Sequence, residues 1–247
     1  MAIKNLGWIA LGGFAVGFVA FGGAFAAGGK DMWSLDNLPN WKFGYGWQDR
    51  CGKIDASERS ERRLAWTGGE TVGIAIPGNV RYKVGEGEEV VVRGPQNFLD
   101  HVVIEGDSIK LDCGGVRGAN LDVTLPGIAF RKIDLAGSGD LVGENLNQEE
   151  LKVSIAGRGS VRATGSAAHV EVNIAGSGDA NLKDLAMKTL ELNVAGSGDA
   201  EAAPVDSAKV NVIGSGNLKL FSNPKDIKTS IVGSGRVIHA GPKETGI

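Results

Sequence analysis

The segment Val170–Ala180, with the sequence VEVNIAGSGDA, carries the pattern on which the fold of this chain depends. Within residues 131–240 its Gly-x-Gly pair occurs six times, and successive first glycines are 20, 19, 20, 18 and 19 residues apart. A period near 20 residues is the sequence signature of a solenoid, in which each unit stacks on the next. The first glycines of the six pairs are Gly137, Gly157, Gly176, Gly196, Gly214 and Gly233.

The side chains before each glycine pair alternate between apolar and polar. In the quoted unit, Val172 and Ile174 alternate with Glu171 and Asn173. This period of two predicts a β-strand whose apolar side chains face an interior. Because such short units bury that face only by stacking about 4.8 Å apart, we predict an all-β fold, a parallel β-helix of about nine coils. The predicted interior positions include Val153, Ile155, Val172, Ile174, Leu192, Val194, Val210 and Val212.

The chain beyond residue 30 divides into a linker and a β-helix domain. Residues 31–57 mix Asn, Pro, Gly and aromatic side chains without a period, which is typical of a linker. The predicted β-helix domain covers residues 58–247, with the regular repeats in 131–240. Residues 58–130 show the same alternation less regularly, which predicts irregular first coils of the same solenoid. A separate small β domain is the alternative for this part.

Residues 1–30 contain a long uncharged segment. The 25 residues Asn5–Gly29 carry no charge, and as a helix they would measure about 37 Å, enough to cross the hydrocarbon core of a bilayer. We therefore predict a transmembrane anchor here. A cleaved signal peptide, which would leave the protein secreted, is the alternative, because Ala24-Phe25-Ala26 has the A-x-A form. Lys4 before the segment favours a C-terminal domain on the periplasmic or extracellular side.

Composition argues against several other classes of protein. The formal net charge is −3, with charges of both signs interspersed, which is not the electrostatic pattern of a nucleic-acid-binding protein. Two cysteines and three histidines leave little material for a structural zinc site. His101, His169 and His239 lie far apart in the sequence and belong to no nucleophile or metal-ligand motif. We therefore predict no catalytic residue and no cofactor.

The repeated GSGD units resemble those of a known bacterial family. Together with Pro77-Gly-Asn-Val80, Val84-Gly-Glu-Gly87 and Val123-Thr-Leu-Pro126, they are similar to the head GIN domain, a family also labelled putative auto-transporter adhesin. The resemblance covers about residues 58–240. It implies a right-handed β-helix in an envelope or extracellular setting, and it brings no catalytic residues with it.

Stacking would place the residue after each glycine pair in one column. Asp179 and Asp199 would then be neighbouring carboxylates, which repel each other by about 1 kcal/mol in water. A hard cation such as Ca²⁺ would relieve that repulsion, so these two residues are candidate metal ligands. The alternative is that the short side chains hydrogen-bond amides of the turn. Asp140 also belongs to the column, and the row of carboxylates is interrupted at Ser160, Asn217 and Arg236.

A flat outer face is a candidate interaction surface. Asn173, Asn193 and Asn211 would form a row on this face, which either binds a glycan or another protein or hydrogen-bonds along the stack. A row of charged side chains runs beside the asparagines, at Lys132, Lys152, Glu171, Glu191, Lys209 and Lys228.

The linker contains a second candidate interaction surface. It also contains Cys51, one of the two cysteines of a candidate disulfide. Trp33, Trp41 and Trp47 would lie on the bilayer surface or against a partner. Cys51 and Cys113 would form a disulfide if the domain lies in an oxidising compartment, and the bond would tie the linker to the first coils.

These observations favour a non-catalytic, membrane-anchored envelope protein that presents a β-helix for adhesion, surface interaction or scaffolding. Its expected partners are the membrane through residues 5–29, other membrane or envelope proteins, and glycans, but no nucleic acid. One alternative is an accessory subunit of a membrane complex that docks through residues 5–47. The other is a polysaccharide-active β-helix enzyme using Lys152, Lys209 and Lys228, which rests on analogy of fold alone.

Overall fold

The computed structural model describes residues 59–113 and 120–241, and both ranges belong to one compact unit. The strands of this part join one sheet that winds into an all-β solenoid of about five turns. The strands are β1 (Arg59–Ala65), β2 (Thr71–Ala75), β3 (Gly78–Lys83), β4 (Glu89–Pro95), β5 (Val102–Glu105), β6 (Ser108–Leu111), β7 (Leu121–Thr124), β8 (Lys132–Gly137), β9 (Asp140–Gly157), β10 (Ser160–Gly176), β11 (Asp179–Gly196), β12 (Ala200–Gly214), β13 (Asn217–Leu220), β14 (Asp226–Gly233) and β15 (Arg236–His239), and the helix α1 is Gln96–Leu99.

The long strands β9 to β12 pair in parallel, each with the next strand in sequence. Val172 of β10 is the register partner of Leu192 of β11, and Asn173 is the partner of Asn193. Each residue of one repeat therefore lies beside the equivalent residue of the next repeat, as the repeat period predicts. Because of this stacking, the equivalent side chains of successive repeats form columns that run across the coils.

The predicted apolar positions form the interior of the solenoid. Val172 and Leu192 are 1% and 0% exposed, and both face the same side of the wall. The same holds for the buried side chains Val153, Ile155, Ile174, Val194, Val210 and Val212. The coil at β14 differs, because Ile227 and Ile231 are only partly buried and Thr229 is exposed.

The glycine pairs form corners that stack closely. Gly176 has a φ of +130°, and a Cβ at this position would lie 2.3 Å from the carbonyl oxygen of Gly157. The N–H of Ser177 donates to that oxygen at 2.8 Å. A side chain would therefore meet both an unfavourable backbone conformation and the backbone of the preceding coil.

The strands before residue 130 enter the sheet out of sequence order. The parallel strand β3 lies between β7 and β9, and β2 lies between β6 and β8. Antiparallel pairs flank them, β1 with β4, β4 with β7, and β5 with β6. The prediction of about nine coils is therefore wrong, because this part of the chain folds back into antiparallel pairs instead of completing coils of its own.

The helix α1 packs against the antiparallel strands β1 and β4. Phe98 and Leu99 of α1 are 1% exposed, so the short helix contributes to the core. The guanidinium Nη1 of Arg62 donates to the carbonyl oxygens of Leu99 at 2.5 Å and Val102 at 3.0 Å. Arg62 thus satisfies the carbonyl group of Leu99 at the end of the helix and links it to the start of β5.

Candidate functional site

An open groove of about 600 Å³ runs across the coils on the outside of the solenoid. Two columns of side chains flank it, each with one residue from every coil between β9 and β14. The charge ladder consists of the side chains Lys152, Glu171, Glu191, Lys209 and Lys228, and Lys132 of β8 extends it. The mixed column consists of Glu150, His169, Thr189, Ser207 and Asp226.

Opposite charges of the ladder pair between neighbouring coils. Lys152 Nζ lies 2.8 Å from a carboxylate oxygen of Glu171, and Lys209 Nζ lies 2.8 Å from one of Glu191. Lys228 lies 3.5 Å from Asp226 on the same strand. The pairs Lys152–Glu171 and Lys209–Glu191 join neighbouring strands and are of the kind that stabilise a sheet modestly.

Glu171 is held in its ionised form. Partial burial by itself raises its pKa, but hydrogen bonds from Asn173 and Lys152 outweigh the burial, so the pKa lies below its ordinary value of 4.5. The positive charges of Lys152 and Lys132 act in the same direction. A carboxyl group with a lowered pKa is a poor general acid at neutral pH.

The mixed column is connected by hydrogen bonds at its centre. His169 Nδ1 and Thr189 Oγ1 share a hydrogen bond of 2.9 Å, and His169 Nε2 lies 3.5 Å from a carboxylate oxygen of Glu149. Thr189 is the register partner of Ser207 on the next coil. His101 and His239 lie elsewhere, before β5 and at the end of β15, so the structure does not bring the three histidines together.

The predicted asparagine row forms a hydrogen-bonded ladder. The Nδ2 of Asn211 donates to Asn193 Oδ1 at 2.8 Å, and the Nδ2 of Asn193 donates to Asn173 Oδ1 at 2.9 Å. Asn173 in turn donates to Glu171 at 2.7 Å. Asn193 and Asn211 are only 5% and 8% exposed. The ladder therefore uses these amide groups to connect coils, and a ligand would reach little of them.

The predicted corner column is also hydrogen-bonded along the stack. Asp179 Oδ1 accepts from the N–H of Asp199 at 2.9 Å, and Asp199 Oδ1 accepts from both the N–H and the Nδ2 of Asn217. Asp140 Oδ1 accepts from Ser160 in the same way. Each carboxylate thus satisfies a backbone donor at the start of the next strand, which is the structural alternative to a metal site.

The corner column extends further than the sequence predicts. Asn79 of β3 pairs in register with Asp140 and with Asp122 of β7, and its Nδ2 donates to Asp122 Oδ1 at 3.2 Å. Arg59 then binds Asp122 at 2.8 Å. Neither Asn79 nor Asp122 belongs to a GSGD unit, so only the out-of-order strand pairing brings them to this column.

Asp134 is a buried carboxylate that the sequence reasoning missed. Its side chain is 5% exposed, one oxygen lies 3.1 Å from Lys132 Nζ, and Oδ1 has no hydrogen-bond partner among the described residues. Asp134 is the register partner of Ser154 on β9. Asp134 lies three residues before Gly137, and asparagine occupies the equivalent position in later repeats. This offset from the glycine pair could have identified Asp134 from the sequence.

A second group of polar side chains lies near the first coils. Ligand atoms of His101, Asp112 and Cys113 lie within 4.8 Å of one another, and His101 Nδ1 lies 2.7 Å from Asp112 Oδ1. Cys113 is disulfide-bonded, so its sulfur is not a thiolate and this group lacks its softest ligand. Cys51, the other cysteine of the chain, lies outside the described residues, and its pairing with Cys113 stays a prediction.

Several of the predicted site residues belong to the N-terminal part of the chain. The proposed anchor, Asn5–Gly29, and the linker residues Trp33, Trp41 and Trp47 lie outside the described residues. Within residues 59–113 and 120–241, no helix has the length and apolar character to cross a bilayer.

The comparison with known families matches residues 106–224, which contain most of the corners and the greater part of the groove. The matching family is described as "putative auto-transporter adhesin, head GIN domain". Residues 106–224 are thus similar to a head GIN domain. The match confirms the resemblance carried by the GSGD units, over a shorter range than residues 58–240.

Two crystal structures are similar to this chain, and the first of them shares its solenoid fold. One, described as a putative adhesin from Bacteroides fragilis, has a TM-score of 0.57 at 18% identity and covers 76% of this chain and 100% of its own. A second, described as a putative adhesin from Parabacteroides distasonis, has a TM-score of 0.44 at 19% identity and covers 76% of this chain and 98% of its own. A search among curated proteins gives no match.

Proposed function

We propose that this protein is a non-catalytic, membrane-anchored envelope protein whose head GIN domain, a right-handed parallel β-helix, acts in adhesion or surface interaction through the groove. The right-handed sense follows from the strong preference of parallel strand connections for that hand. The anchor is the segment Asn5–Gly29, and the domain after it lies on the periplasmic or extracellular side.

The pairing of charges along the groove is the observation that carries this proposal. A groove that spans several coils and presents paired charges at intervals of one coil is suited to an extended partner with its own regular order of charges. Catalysis instead needs a titratable group whose pKa is moved towards neutrality. The pKa of Glu171 is moved in the opposite direction, and its charge is balanced by Lys152.

The state of Cys113 supports the proposed location. Cys113 is disulfide-bonded, and such bonds persist mainly in secreted, periplasmic or surface-exposed proteins. The family description and the putative adhesin from Bacteroides fragilis point in the same direction.

The test uses cells that express the full chain, together with two matched double variants. Glu191→Ala/Lys209→Ala removes one ion pair from the groove and leaves the net charge unchanged. Lys183→Ala/Glu201→Ala removes an ion pair of the same 2.8 Å length between the same two strands, at residues that do not line the groove. Adhesion of the cells to protein-coated and glycan-coated surfaces is measured, and protease treatment of intact cells reports whether the domain is displayed.

We expect the domain to be cleaved on intact cells, and adhesion to fall about tenfold in the groove variant but not in its control. Equal adhesion of all three strains, or a domain protected from protease, would overturn the proposal. Detergent extraction followed by size-exclusion chromatography tests the accessory-subunit alternative, since such a subunit co-elutes with a membrane assembly. Turnover of an acidic polysaccharide would instead establish the enzyme alternative.

A further inference from the structure

We propose that the groove binds a second copy of this chain in antiparallel orientation, so that the charge ladder and the mixed column of one copy face the same columns of the other. This inference rests on the proposed function, because it names the partner of the same groove. It is argued from the order of side chains along four consecutive coils.

The charge ladder is complementary to its own reverse. On the four coils of β10, β11, β12 and β14 it reads Glu, Glu, Lys, Lys. A two-fold axis that crosses the solenoid between Glu191 and Lys209 reverses this order in the partner. Glu171 then faces the partner's Lys228, and Glu191 faces the partner's Lys209. All four positions meet the opposite charge, which is the condition for electrostatic complementarity.

The mixed column is complementary about the same axis. On these coils it reads His, Thr, Ser, Asp. The axis places His169 opposite the partner's Asp226 and Thr189 opposite the partner's Ser207. An imidazole thus faces a carboxylate, and two hydroxyl groups face each other, so each position has a hydrogen-bonding partner. The charge ladder and the mixed column are therefore both complementary to their own reverse about the same two-fold axis.

Another axis fits less well. An axis between the coils of Lys152 and Glu171 also pairs opposite charges along the ladder, with Lys132 opposite the partner's Glu191. The mixed column, however, has no member on the coil of Lys132, because Phe130, two residues before Lys132, is 0% exposed, and Thr189 would meet no polar side chain there. This second axis leaves the hydroxyl group without a polar partner, so the axis between Glu191 and Lys209 is preferred.

The side chains of the ladder are accessible enough to meet a partner. The side chains of Glu191, Lys209 and Lys228 are 42%, 54% and 77% exposed. Because Glu191 and Lys209 already pair within one copy, the two copies form a network of four alternating charges around the axis. Exposed ion pairs are individually weak, so a single pair of domains binds weakly and an array of domains binds through avidity.

The antiparallel arrangement has a consequence for adhesion. It places the first coils of the two copies at opposite ends of the contact. Chains anchored through their N-terminal segments on two facing surfaces satisfy this arrangement, so we infer contact between like cells.

The first experiment is zero-length cross-linking of the wild-type full chain with a carbodiimide, followed by peptide mass spectrometry. Glu171 and Lys228 lie three coils apart in one copy, about 14 Å, which a direct amide bond cannot span. In the proposed pair they are in contact, so we expect an amide between Glu171 and Lys228. Its absence, with the Lys209–Glu191 amide present as internal control, would overturn the proposal.

The second experiment uses two double variants with the same net charge. Glu191→Lys/Lys209→Glu makes the ladder read Glu, Lys, Glu, Lys, which is still complementary to its reverse. Glu191→Lys/Lys228→Glu makes it read Glu, Lys, Lys, Glu, which places like charges opposite each other. The full chains are attached in mild detergent to beads through a C-terminal tag, and clustering of the beads is measured by light scattering. Circular dichroism melts check that both variants fold.

We expect wild-type and Glu191→Lys/Lys209→Glu beads to cluster, and Glu191→Lys/Lys228→Glu beads to cluster at least about tenfold less. About 0.5 M salt disperses the clusters, because it screens exposed charges. Equal loss in both variants overturns the chosen axis, and clustering of all three overturns the charge ladder as the contact. If the cells of the preceding test adhere to coated surfaces but wild-type beads do not cluster, this inference fails while the proposed function stands.

Discussion

Asn211 and Asn193 are joined across neighbouring coils by a side-chain hydrogen bond of 2.8 Å, although both lie on the outer side of the wall. The bond is one step of a ladder in which the amide of Asn193 donates to Asn173 of the preceding coil and accepts from Asn211 of the following one. Because both side chains are more than 90% buried, the ladder acts as a polar seam within the stack.

Replacing the middle of this ladder should destabilise the solenoid. Asn193→Ala removes two side-chain hydrogen bonds and leaves the amide of Asn211 buried without its acceptor. We expect the free energy of unfolding to fall by about 2 kcal/mol, measured by denaturant titration. Ser197→Ala, at an exposed corner position on the same strand connection, serves as the control and should change stability by less than about 0.5 kcal/mol. Equal effects of the two changes would contradict the ladder.

The stacked corners should not tolerate a methyl group. Gly176→Ala adds a Cβ 2.3 Å from the carbonyl oxygen of Gly157, at a φ of +130°. We expect a loss of more than about 3 kcal/mol in unfolding free energy. Gly85 also has a positive φ, +86°, but a Cβ there meets no atom within 4 Å. Gly85→Ala should therefore cost only about 1–2 kcal/mol, and a similar cost at both sites would show that crowding between coils is unimportant.

Calcium should not stabilise the corner column. The Oδ1 atoms of Asp179 and Asp199 already accept hydrogen bonds from the next coil. We expect the melting temperature to be the same with millimolar Ca²⁺ as with a chelator, and Asp199→Ala to cost about 1 kcal/mol through the loss of the bonds to Asn217. A rise in melting temperature with Ca²⁺ that Asp179→Asn and Asp199→Asn abolish would instead establish a metal site.

The contribution of Glu171 should depend on pH. Its pKa is lowered in the folded state, because hydrogen bonds from Asn173 and Lys152 outweigh the opposing effect of burial. A lowered pKa adds stability above the unfolded-state value, and that stability is lost as the pH falls through the folded-state value. Glu171→Gln should therefore reduce unfolding free energy more at about pH 7 than at about pH 3, as measured by denaturant titration at both values. The same reduction at both values would contradict the lowered pKa.

Reduction should weaken the protein if Cys51 and Cys113 are paired. We expect a peptide map without reductant to contain one species that joins the two cysteines. A bond that closes a loop of about 60 residues contributes about 2–4 kcal/mol, so reductant should lower the unfolding free energy by that amount. Cys113→Ser should lower it similarly and make it insensitive to reductant. Two free thiols in the untreated protein would contradict the pairing.

The repeat made the regular coils predictable from sequence. A constant offset from each glycine pair predicts which side chains are buried, as at Val172 and Leu192, and which ones neighbour each other, as at Asn173 and Asn193. This works because parallel in-register stacking copies the same environment from coil to coil. The same offset predicts the row of charges, although not which of them pair.

The strands before residue 130 were not predictable in this way. β2 pairs with β8 and β3 pairs with β9, about 60 residues away, and no repeated motif marks either pairing. The sequence therefore did not predict that Asn79 and Asp122 lie in the corner column. It also did not predict the antiparallel pairs, which leave the solenoid with fewer turns than expected. The groove itself was not predicted, because its depth depends on how the wall curves, which alternation along a strand does not encode.

Within the described part of the chain, β10 and β11 exchange backbone hydrogen bonds only with the strands of the preceding and following repeats, which makes this part of the molecule modular. Excision of residues 158–176 would join Gly157 directly to Ser177, so that one corner replaces another. The remaining coils would close up in register and shorten the solenoid by about 4.8 Å. Glu171 and His169 would disappear with the excised unit, and the series of charges would lose one step. Duplication or loss of a single repeat can thus lengthen or shorten the recognition surface, or change the order of its charges, while the interior side chains stay the same.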